Sequence, residues 1–463
     1  MTTSNDCSST PDEIIQALSS GPASAWFDRS GRKAQIKTAL SRLEKGKKPE
    51  EVLEAVSTVL GEFWTDYAGK AVADLLRQVP KVELALYGLE YEDESHPAYR
   101  DHYIHMFLTF VMGSTILAKA IGQDKEGVVK AFIVDSEDAF PADDWPFDKR
   151  RYTAAERLLF LWTLAATFHD VGIPVDHLDK LRRGLGRYTA YFGLNLQPMQ
   201  MEVDPGFAAS VPYYVDLMSR IYAGGFEVDD VGNYKKDQTS AYARRMLEQE
   251  LDRRGHGALS AMCLFRSVSR EFMEDRKSYD LNIEKYEGWT RHVLENDIAR
   301  AALAVALHSA PPDRYPKMYP LAFNERPLAW LLAVCDDLQE FHRPEGRPYP
   351  VTGKGRHLPK VDAQFKDGQL NLKVSILQST AGMPTGSDLD QLRKYLRQAY
   401  NLDADPEGKT REKIVENALK AYWSRHINSL HEKVSVAAKH GALLNVTVHL
   451  LTDNSDVIDI YDH

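Results

Sequence analysis

Three cysteines in 463 residues are too few for a disulfide framework. Cys7, Cys263 and Cys335 lie far apart, and none belongs to a CxxC pair, so a structural zinc module is not expected and a reducing compartment fits. A surplus of basic charge is also missing. The 57 Lys and Arg stand against 67 Asp and Glu, for a formal net charge of −10. That argues against a broad nucleic-acid surface, which shows as a basic patch or stripe, while leaving room for a small basic pocket for one phosphate. No stretch approaches 18 apolar residues free of charge, so no membrane span is expected. The opening residues, MTTSNDCSSTPDE, lack the positive and apolar regions of a secretory signal. Internal repeats and low-complexity segments are absent too. Together these absences lead to the expectation of a soluble, cytoplasmic protein.

What is present is an ordinary globular balance, 43% hydrophobic and 27% charged, sufficient for a core of useful size. The length suits two or three domains, or one large domain with additions. Residues 1–10 are polar and read as disordered. Helical periodicity starts at Pro11, with Asp12 and Glu13 at a helix start, and continues through residues 33–60. Long helical patterns then fill 99–133, 152–170, 239–274, 291–309 and 326–341. Residues 177–238 are rich in Gly and Tyr and read as an irregular insertion. After about residue 345 the character changes. A Gly/Pro-rich linker leads into VDAQFKDGQLNLKVSIL, which alternates in hydrophobicity on both sides of Asp367-Gly368, a hairpin signal. Two helical patterns and the β-rich run LLNVTVHLL at 443–451 follow. The expected organisation is an N-terminal helical region (1–80), a helical domain (81–345) and a small C-terminal α+β region (346–463).

Titratable residues interrupt the apolar helices at five places. His105 lies in DHYIHMFLTFVMGSTIL, and His169-Asp170 closes LLFLWTLAATFHD before a Gly and a Pro break the chain. His256 opens RRGHGALSAMCLF, His308 ends ARAALAVALHSAPP, and Asp336 follows the apolar run in LAWLLAVCDDLQEF. Apolar helices seldom turn His or Asp toward a core unless something satisfies them. Four imidazoles and two carboxylates arriving from different helices would satisfy one another around bound metal. Such N/O donors suit Mn, Fe, Zn, Ni or Co, and Mg less. The adjacent pair is useful because Asp170 can bridge two ions while His169 takes one. His102, three residues before His105 and near the same helix face, is the alternative first ligand. Asp337 competes with Asp336.

The order His … His-Asp … His … His … Asp, carried by HYIHMF, FHDVGIP, HGALSA, ALHS and CDDLQEF, resembles the HD-domain superfamily of metal-dependent phosphohydrolases. The resembling stretches span residues 99 to 341. The resemblance implies a mainly α fold, an HD-type helical bundle with the α+β region as an appendage. It implies that His105, His169, Asp170 and Asp336 form the minimal site. His256 and His308 would be the extra ligands of two-metal members, with Asp170 bridging. It also implies a small phosphorylated substrate, such as a nucleotide, attacked by a metal-activated water. Many members carry Lys after HDxG, where this chain has Ile173; Lys180, Arg182 and Arg183 are the nearby candidates to neutralise phosphate charge. Members that are di-iron oxygenases use the same ligand order, so oxygenase chemistry is the second expectation. The third is a non-enzymatic protein that binds a partner protein through its C-terminal region. The oligomeric state is left open.

Overall fold

Two helices with no polar side anchor the molecule. The computed structural model describes residues 8–28, 31–45, 49–67, 69–90, 102–133, 153–175, 205–224, 238–278, 297–339, 358–379, 388–400, 402–451 and 457–462. Helix α6 (His102–Gln123) is buried almost throughout, and α8 (Ala154–Phe168) is buried at every residue from Ala155 on. A helix apolar all round belongs inside a core or a bilayer. Both segments, His102–Gln123 and Ala154–Val175, are long and apolar enough to cross a membrane, and 94% of each such window is buried within the protein.

Around this pair the helices follow chain order: α1 (Pro11–Leu18), α2 (Ser24–Asp28), α3 (Arg32–Glu44), α4 (Pro49–Tyr67) and α5 (Gly69–Glu90) come first. After α6 come α7 (Lys125–Phe132) and α8, then α9 (Pro205–Tyr222), α10 (Gln238–Asp252) and α11 (His256–Ser278). α12 (Ala299–His308) and α13 (Pro327–Gln339) complete the helical body, in which α6, α8, α12 and α13 pack on one another and α11 packs on α8 and α12. The acidic start expected after Pro11 is a capping box: the Glu13 N–H donates to the Thr10 hydroxyl at 3.2 Å, and the Thr10 N–H donates to the Glu13 carboxylate at 2.8 Å. The same device, Thr153 with Glu156, starts the buried α8 and satisfies donors of its first turn.

The C-terminal region is the expected α+β unit: a mixed sheet of β2 (Leu358–Lys366), β3 (Gln369–Ser379), β4 (Ala442–Leu451) and β5 (Val457–Asp462), with helices α14 (Leu389–Ala399) and α15 (Arg411–Lys433) between β3 and β4. β2 and β3 pair antiparallel across Asp367-Gly368, whose φ values of 52° and 76° meet the left-handed need of a two-residue hairpin turn. β3 and β4 run parallel, which the helical crossover makes feasible, and β4 and β5 antiparallel.

Three features depart from the sequence reading. Ser8–Ser9 is not disordered but forms β1, a strand paired with the start of β2; such pairing uses only backbone groups, so no apolar pattern announces it. The stretch 177–238 contains a regular helix, α9, whose signal is blurred by Gly206 and the internal Pro212. The long pattern 239–274 is two helices, split at Arg253–Gly255, where Arg254 takes φ 59°. Residue 80 lies within α5, and one cluster of buried apolar residues runs from Ile14 to Leu450, joining all three expected regions.

Candidate metal centre

Five helices deliver six side chains to one place. His105 comes from the first turn of α6, His169 and Asp170 from the end of α8, and His256 from the first residue of α11. His308 is the last residue of α12, and Asp336 lies near the end of α13. They form two groups whose donor atoms lie within 4.8 Å of one another: His105, His169, Asp170 and Asp336, and Asp170, His256 and His308. Asp170 belongs to both.

Most of the spacings are compatible with bound ions. An ion with bonds of about 2.1 Å in a tetrahedral shell holds neighbouring donor atoms about 3.4 Å apart. His169 Nε2 lies 3.4 Å from both Asp170 Oδ2 and Asp336 Oδ1, and His105 Nε2 lies 3.9 Å from Asp170 Oδ2. On the other side of Asp170, its Oδ1 lies 3.5 Å from His308 Nε2 and 3.8 Å from His256 Nε2. One contact is too short for this shell: His105 Nε2 and Asp336 Oδ1, at 2.6 Å, share a proton. The four-donor group is closed, with His105 and His169 almost fully buried. The three-donor group is the open one, since the His256 side chain is 32% exposed.

The backbone selects the ring nitrogen offered. The Nδ1–H of His169 donates to the Ala166 carbonyl at 2.8 Å, and that of His308 to the Val305 carbonyl at 2.5 Å. Each acceptor is among the last carbonyls of its helix, which have no intrahelical donor. The tether leaves Nε2 facing the carboxylates, the arrangement of a metal-ligating histidine. His169 Nε2 is fully buried and makes no hydrogen bond. A ring nitrogen facing two carboxylate oxygens is satisfied by a cation or by a proton between them.

Without an ion, protons must do that work. Burial pushes the His169 pKa down, but the carboxylates of Asp170 and Asp336 outweigh it and hold it up at about 9. Burial opposes the ionised form of Asp170, yet His169, His308 and His105 hold its carboxyl well below the usual range. Asp336 is likewise held well below that range, against burial, by His105 and His169. His256 is pushed down to about 4 by burial and by the neighbouring His308 imidazole. The two buried carboxylates thus need positive charge or donors at the position where one or two cations would sit.

Close approach of backbone completes the site. A Cβ on Gly172 would lie 2.6 Å from the His256 carbonyl oxygen, and one on Gly257 would lie 2.8 Å from the Val305 carbonyl oxygen. Only glycine at both positions lets the start of α11 press between the His-Asp turn and α12. The Ser260 hydroxyl accepts the Gly172 N–H at 2.8 Å and fixes the turn.

Compared with known proteins, the chain matches no family model, no curated protein and no solved structure. The site therefore stands on its own geometry. The structure brings together all six residues singled out in the sequence. His102 is buried on α6 but belongs to neither group. Asp337 faces away and pairs with Lys433 at 2.7 Å. Lys180, Arg182 and Arg183 lie outside the described residues, as do the far parts of the stretch 177–238. Sequence reading missed Ser260, Gly257 and the carbonyl tethers. The tethers had a signal: His169 and His308 each end a helix, where unpaired carbonyls are always at hand.

Proposed function

We propose that this protein is a metal-dependent phosphohydrolase of the HD type, acting on a nucleotide or another small phosphoester. The observation that carries the reading is Asp170, one carboxylate shared by two donor groups, one closed and one partly open. Divalent ions bound there supply Lewis acidity and a water of lowered pKa. The chain's residues do the rest. Asp170 spans the two positions, so removing it affects both. His105, His169 and Asp336 close one position from solvent, and His308 with His256 holds the other. The exposed edge of His256 gives a substrate its approach. Lys180, Arg182 and Arg183 remain the candidates for neutralising phosphate charge. Mn, Fe, Zn, Ni or Co suits four imidazoles and two carboxylates better than Mg does. The unpaired thiols of Cys263 and Cys335 fit a reducing, cytoplasmic setting.

A di-iron oxygenase is the second reading, favoured by one observation: Ile173 stands where phosphohydrolases of this type commonly carry a phosphate-reading lysine. The third, a non-enzymatic partner-binding protein, predicts that His169→Ala and Asp170→Ala leave biological activity intact.

The deciding experiment is elemental analysis of protein purified without chelators, paired with a phosphoester hydrolysis screen. About two ions per chain are expected in the wild type, about one in His256→Ala and fewer than one in Asp170→Ala. Iron with oxygen consumption and no hydrolysis would select the oxygenase. No ion under metal-replete conditions would remove both enzyme readings.

A further inference from the structure

The C-terminal α+β region grips the helix that carries Asp336. Consecutive residues on a helix point about 100° apart. Asp336 faces His105 and His169, while Asp337 turns to Lys433, the last residue of α15, at 2.7 Å. Asp337 is buried, and its Oδ2 has no hydrogen bond, so the lysine is its principal charge partner among the described residues. Two residues further on, the Ser435 carbonyl accepts the Trp330 indole N–H at 2.9 Å. Trp330 and Asp337 are seven residues apart, which is two turns and therefore one face of α13. The strap 433–435 is itself fixed: the Leu321 N–H donates to the Lys433 carbonyl and the Ser435 N–H to the Leu321 carbonyl, each at 2.8 Å. A helix held at two points along one face cannot turn about its axis.

We propose that Lys433 is a positioning residue for the four-donor group. Through Asp337, and with the Ser435–Trp330 contact, it sets the rotation of α13 that brings Asp336 within 2.6 Å of His105. The C-terminal region is then part of the construction of the ion centre rather than a separate attachment. The second group is built from α8, α11 and α12, and the hydrogen bonds that tie the strap to the helical body go to α13 and Leu321, with Ser435 also bonded to His440 of its own region. The effect is therefore selective for one group of two.

Two readouts test this, and only the first rests on the proposed metal binding. In calorimetric titration of the full chain with Co²⁺, Lys433→Met weakens one site at least tenfold and changes the other less than threefold, and Lys433→Arg restores the first. Equal loss at both sites, or at neither, overturns the proposal. The second readout uses EDTA-treated protein with ¹⁵N-labelled histidine. The His105 Nε2 proton shared with Asp336 gives a downfield resonance in wild type and Lys433→Arg, and it shifts or disappears in Lys433→Met. An unchanged resonance overturns the proposal whether or not ions bind. Because Lys433→Met strands a buried carboxylate, the double variant Lys433→Met with Asp337→Leu is measured alongside. It lacks that charge, and it is expected to show the same selective loss. If wild type takes no Co²⁺ while the resonance still responds to Lys433, the metal reading fails and the positioning role stands.

Discussion

At the scale of single residues, the centre is a set of opposed pKa shifts. An imidazole in an unfolded chain titrates near 6.5. His169, held up at about 9, favours folding while protonated, so in metal-free protein its contribution is full below about pH 6.5 and is lost as pH rises through about 9. His256, pushed down to about 4, works the other way: its contribution is present above about pH 6.5 and is lost as pH falls toward 4. Metal-free protein is therefore expected to melt highest near pH 6.5, with a decline on the alkaline side. A cation held there as proposed would replace the proton on His169, so saturating metal should flatten that alkaline decline. Thermal melts with and without chelator across this range check it. A melting temperature of chelated protein that still rises from pH 7 to 9 would contradict the assignment.

At the scale of elements, what matters is how helices that share no sequence motif are kept in register. α8 and α12 are clamped at the ends remote from the ligands. Arg157 of α8 donates twice to Asp297, just before α12, at 2.9 and 2.7 Å, and both side chains are buried. Such a pair adds little net stability over apolar replacements but is costly to break on one side. Arg157→Ala should cost about 3–5 kcal/mol in chemical denaturation, whereas Arg157→Met combined with Asp297→Leu should be near neutral. If the double replacement keeps stability but loses cobalt affinity, the pair serves registry; if it keeps both, the pair is dispensable.

At the scale of the whole molecule, the outer edge of β2, beyond the two residues that β1 pairs with, ends on side chains of α6. The Gln123 amide donates to the Ala363 carbonyl at 2.9 Å and accepts the Phe365 N–H at 3.0 Å, as a neighbouring strand would, and Lys119 donates to the Val361 carbonyl at 2.5 Å. An open edge is an invitation to pair with another chain. Gln123→Ala removes two hydrogen bonds and should destabilise the protein by about 1–3 kcal/mol. Amide exchange at Phe365 is expected to quicken, and unchanged protection there would show that the edge is covered by other means.

Much of this was legible in the chain. Alternation around Asp367-Gly368 specified the hairpin, because a two-residue turn needs left-handed backbone that these residues tolerate. Apolar helices interrupted or bounded by His or Asp marked all six donors, since a polar group on a buried helix needs a partner. The choices of His105 over His102 and Asp336 over Asp337 were weighed in the sequence but needed the fold to place them, because each depends on helix rotation. β1 and α9 stayed hidden, the first for lack of side-chain patterning and the second behind its proline and glycine. The sequence by itself determined which residues have to be satisfied and most of the helices and the C-terminal strands, because those are local matters of periodicity, capping and burial. Only the tertiary structure decided that the six donors meet around one shared carboxylate and that Lys433 grips the helix behind Asp336. Spacing between helices is set by packing between residues up to hundreds of positions apart, and no local pattern encodes it.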